Sequence, residues 1–96
     1  MEENFGLAAF RSRQQVMNFE RDLRRSGVRA AIISTPRSIS VGCGLSVRFE
    51  LPDAQAVREV FRATQPGNLI GFYHITREAA GALRVKPLGI QSGYTG

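Results

Sequence analysis

The sequence predicts an α+β domain built on an antiparallel sheet, and three observations carry the prediction. Four short runs rich in apolar and β-branched residues, at 4–10, 28–34, 45–50 and 69–76, are interleaved with two runs of helical periodicity in the order β α β β α β. The whole set fits within the first eighty residues, which leaves room for one core and no second domain. The third strand alternates cleanly, Leu45, Val47 and Phe49 against Ser46, Arg48 and Glu50, so the sheet has one buried and one wet face there.

Each element follows from local chemistry. NFGLAAF opens the chain as an apolar strand that ends where the sequence turns polar. Ser12 with Gln15 three residues on forms a capping box, whose hydroxyl and amide satisfy unpaired backbone N–H groups at a helix start. Val16, Phe19 and Leu23 recur at helical spacing, and Gly27 supplies the stop. VRAAIIS is the second strand, closed by Thr35 and Pro36. Pro52 and Asp53 open a second helix with Asp53 as its N-cap, and Val57, Val60 and Phe61 form its apolar stripe. Gln65 to Asn68 break that helix, and LIGFYHIT makes the fourth strand.

This order is that of the ferredoxin-like βαββαβ sandwich, a four-stranded antiparallel sheet in the order 4-1-3-2 with two helices on one face. Residues 1–78 are expected to form this single domain. Residues 79–96 form a partly flexible C-terminal tail, beginning with a helical turn and adding a short segment at ALRVKPL. The fourth strand is apolar in both parities, so the helix-free face should be covered by the tail or by a second subunit, as in a homodimer through that face.

Composition removes most chemistry. One cysteine closes no internal disulfide, and one cysteine with one histidine cannot supply a structural zinc or iron–sulfur site, so neither a metal nor another cofactor is expected. The start, MEENFGLAAF, carries acids where a signal peptide needs a positive region, and no run is long and apolar enough to span a membrane; a cytoplasmic location without a leader is the expectation. The net charge of +5 comes from arginines spread along the chain and interleaved with acids, which reads as a solvated surface and argues against nucleic acid as a partner.

Cys43 stands between Gly42 and Gly44 at the entrance of the third strand, in phase with Leu45, Val47 and Phe49, so its side chain leans toward the helix layer at the rim of the sheet. The flanking glycines leave the approach to the sulfur open. The third strand runs antiparallel to the first, which brings Cys43 near the end of the first strand and hence near Ser12 and the first helix N-terminus. Such a site, with Arg37 and Arg11 or Arg13 adding positive charge, favours the reactive thiolate. The competing reading makes the lone cysteine a small buried hydrophobe.

The run TPRSISVGCGLSVRF, Thr35 to Phe49, resembles the Pro-Arg-x-Ile-Ser-x-x-Cys-Gly-hydrophobic signature of the small bacterial proteins grouped as selenium/sulfur (Se/S) carrier protein-like. Weaker matches extend to Phe10, Ser12, Glu20, Gly27 and GFYHI, covering about residues 5–76. The resemblance implies that Cys43 carries sulfur or selenium, as a persulfide or its selenium equivalent. Pro36, Arg37, Ser38 and Ser40 would shape and charge the loop, Gly42 and Gly44 would keep it open, and donor and acceptor proteins would be the partners. A one-thiol carrier suits such a chain, because a partner thiol can take the sulfur and no resolving cysteine is needed. It points to a carrier rather than a turnover enzyme.

Two rival readings remain. Phe5, Phe72 and Tyr73 on the sheet, with Arg29 and Arg48, could stack and hold RNA on this topology. Alternatively, the fold is a dimeric assembly module in which the cysteine is incidental. His74 reads as structural, since the fourth strand is separated from the third by the first.

Overall fold

The computed structural model describes residues 2–39 and 43–88. In chain order these are β1 (Glu3–Phe10), α1 (Arg13–Arg25), β2 (Ala30–Ser34), β3 (Leu45–Phe49), a 3-10 turn (Leu51–Asp53), α2 (Ala54–Thr64), β4 (Leu69–Arg77) and β5 (Leu83–Pro87). The strands form one antiparallel sheet in the order β2-β3-β1-β4-β5.

The first four strands take the 4-1-3-2 order, but the sheet has five strands and not four. The fifth comes from the segment expected as tail. Its hairpin turn is closed by Gly81, whose φ of +92° lies in the left-handed region, and by a bond from Glu78 N–H to Ala82 O at 2.8 Å. The helical turn expected at the start of the tail is thus a β-turn. Leu83 and Val85 alternate with Arg84 and Lys86 for too short a span to signal a strand in the sequence, and the unpaired edge of β4 supplies the ladder that makes one.

Helix ends follow their chemistry with two departures. Ser12 Oγ accepts the Gln15 N–H at 3.4 Å, the forward half of the expected capping box. At the other end Gly27 N–H bonds Arg24 O and Val28 N–H bonds Leu23 O, the paired bonds of a Schellman motif around a left-handed glycine. Asp53 sits at the N-cap of α2 but its carboxylate makes no capping bond: the preceding 3-10 turn holds its backbone at φ −89°, ψ 4°, not in the extended conformation in which Ser12 caps α1.

Both helices lie over one face of the sheet. There Phe10 and Phe72 from the strands meet Phe19 of α1 and Phe61 of α2, with neighbouring ring centroids 5.2–6.4 Å apart and tilted or edge-on. Phe49 covers Gly6, where any side chain would collide with its ring. The opposite face buries Phe5, Leu7, Ala9 and Ile75 together with Ile39 from the β2–β3 loop. The cover expected from a tail or a second subunit is thus supplied in part by this chain's own loop. Arg48 adds to it, its guanidinium lying 4.0 Å from the centre of the Phe5 ring while bonding Glu3 at 2.8 Å.

Candidate functional site

The β2–β3 loop is clamped at both ends before it reaches Cys43. Thr35 N–H bonds Gly44 O at 2.9 Å, and the Thr35 hydroxyl meets the hydroxyl of the fully buried Ser46 at 2.7 Å. Gly44 closes this junction at a φ of +86°, a conformation that opposes any side chain. A tight turn follows in which Ile39 N–H bonds Pro36 O, leaving Arg37 and Ser38 exposed at its corner. Ile39 then drops into the apolar cluster on the helix-free face. Ser40 and Gly42 lie outside the described residues.

Cys43 emerges on the other side of the sheet. It is half-buried against the helix-side core, with Leu45 beside it. Its N–H reaches Phe10 O at 3.4 Å, and its thiol donates to Leu45 O at 3.5 Å. Phe10 ends β1 two residues before Ser12, so the cysteine stands at the corner where β1 hands over to α1. The Ser12 oxygen is committed to capping α1. Arg11, Arg13 and Arg37 are exposed and form no ion pair among the described residues.

His74 belongs elsewhere. Its Nε2 bonds Asn4 Oδ1 at 2.9 Å, Thr76 donates to the same oxygen at 2.8 Å, and its strand position faces Gly6. Phe10 lies four steps along β1 from Gly6, about 13 Å of strand. The histidine therefore offers no base to Cys43. The residues proposed for stacking on RNA fare no better: Phe5 is sealed beneath Arg48 and Phe72 lies in the helix-side core, leaving only Tyr73 part-exposed.

The family whose model matches is described as "Putative Se/S carrier protein-like", and the match runs over residues 5–69, from β1 through the cysteine loop to the start of β4. The chain belongs to that family. No curated protein and no solved structure matches it. The family's span holds both helices, the clamped loop and Cys43, and stops before most of β4 and all of β5. Sequence reasoning missed Thr35, Ser46 and Ile39 as the loop's fastenings. The one available signal was an isoleucine set between Ser38 and Ser40 in the loop.

Proposed function

We propose that this Se/S carrier family member carries sulfur or selenium on Cys43. The observation that supports it most is the coincidence of family membership with a single cysteine at the rim of the sheet, half-buried and reached by a loop fastened at Thr35 and Ile39. In loading, the Cys43 thiolate attacks the outer sulfur of a donor persulfide, R–S–SH. A bond forms between the two sulfurs, the donor's S–S bond breaks, and the donor leaves as R–S⁻ with Cys43 as Cys–S–SH. Unloading repeats the step with an acceptor thiolate. The thiol proton now held toward Leu45 O must leave first, so loading begins with opening of that weak bond. The protein acts as a carrier between donor and acceptor proteins in the cytoplasm, and its first four strands and two helices are a ferredoxin-like sandwich with β5 appended.

Incubation with a persulfide donor, followed by intact-protein mass spectrometry, checks this reading. One sulfur should add to the wild type and none to Cys43→Ser. A folded protein whose thiol resists both the donor and iodoacetamide would refute it.

A further inference from the structure

The two edges of the sheet are built differently. β5 carries Arg84, Lys86 and Pro87, the residues that blunt an edge against pairing. β2, Ala-Ala-Ile-Ile-Ser, has no charge and no proline, and three of its five residues are exposed.

The direction of its free backbone groups follows from one bond. Thr35 donates to Gly44 O, and inward-bonding residues alternate with outward-facing ones along an antiparallel ladder. Ile33 and Ala31, opposite Ser46 and Arg48, therefore bond to β3. The N–H and C=O groups of Ala30, Ile32 and Ser34 point away from the sheet. Beside them, Ile32 is 39% exposed on the helix side.

The rim above β2 matches this edge. Arg24 lines a shallow groove with Gly27, Val28, Arg29 and Ala30, so Arg13, Met17 and Glu20, at helical spacing from it, share the flank of α1 that overhangs β2. Met17 is 51% exposed there, and Glu20 and Arg24 neutralise each other at 3.0 Å. Of the three large apolar side chains exposed among the described residues, two, Met17 and Ile32, thus lie on one rim.

We propose that β2 joins a second copy of this chain edge to edge, antiparallel about a two-fold axis at Ile32. Ile32 then opposes its own copy, Ala30 opposes Ser34, and every outward backbone group of the strand finds a partner. A second copy fits better than a foreign strand because the arrangement is self-complementary: the outward residues are symmetric about Ile32, the side chains opposed are small or apolar, and no like charges on β2 face each other. The joined strands run in opposite directions, which sends the two Cys43 loops to opposite ends of the interface. The two thiols act independently and do not link the copies.

Sedimentation equilibrium of the full chain up to about 100 μM tests the proposal. The wild type should dimerise, with the same affinity in reductant and in Cys43→Ser. Ile32→Lys should raise the dimer Kd by about 100-fold with an unchanged far-UV circular dichroism spectrum, since it buries an unpaired cation at the axis. Ala31→Lys, an exposed site on the other side of the same strand, should also weaken the dimer and decides the matter if Ile32→Lys does not fold. A monomeric wild type, a dimer that survives both substitutions, or one abolished by Leu83→Lys or Cys43→Ser overturns it.

Discussion

Under the helices the sheet is buried by aromatic rings locked against one another, whereas on its other side it is buried by a loop residue and a guanidinium. Each face seals the ring at its centre: Phe72 and Phe5 are each 1% exposed. They differ in what holds the cover down. The helix layer is fixed by two elements whose apolar stripes were set by periodicity, and its rings contact several neighbours each. The loop that delivers Ile39 is held by a turn, a backbone bond and one pair of hydroxyls. The first face is therefore the stable one, and the second is where the chain around Cys43 can loosen at small cost.

Three substitutions probe this contrast, in decreasing order of effect. Phe72→Ala removes a ring that packs on both Phe19 and Phe61 and should cost about 3–5 kcal/mol, read by urea denaturation. Ile39→Ala should cost about 2 kcal/mol, the low end for such truncations, because a loop can settle into the space it leaves. The same variant should speed iodoacetamide labelling of Cys43 in the native state, while a surface control such as Arg62→Ala leaves it unchanged. Equal labelling rates would mean that Ile39 does not govern access to the sulfur.

Arg48→Ala is the smallest. In the native protein the Glu3 carboxyl is held below its usual range by the hydrogen bond from Arg48, by the charge of Arg48 and, less, by that of Arg77. A depressed folded pKa gives stabilisation that is present above the unfolded pKa and lost as pH falls through the folded one. The contribution fades only in acid, and salt weakens it because the pair is exposed. An NMR titration of Glu3 should return to the ordinary glutamate range in Arg48→Ala.

Much of this molecule was legible residue by residue. Val16, Phe19 and Leu23 could only bury as a helix stripe, Gly27 ended α1 through the left-handed turn it permits, and the alternation of Leu45, Val47 and Phe49 phased Cys43 toward the helices. The cysteine's neighbourhood also followed from topology, since antiparallel pairing of β1 with β3 sets the start of one against the end of the other. The fastening of its loop was less accessible. Ser46 and Thr35 look like ordinary loop and surface residues until the hairpin sets their hydroxyls 2.7 Å apart.

By itself, the sequence determined the element order, the two helices, the helix-side core and a single thiol at a strand entrance, because each rests on spacing or on a residue's own backbone preference. Only the tertiary structure decided that the strand order continues into β5, that Ile39 plugs the second face, that Arg48 caps Phe5, and that β2 is left bare while β5 is guarded. Those outcomes depend on which surfaces remain unpaired once the first four strands have assembled, and no local pattern encodes an unpaired edge.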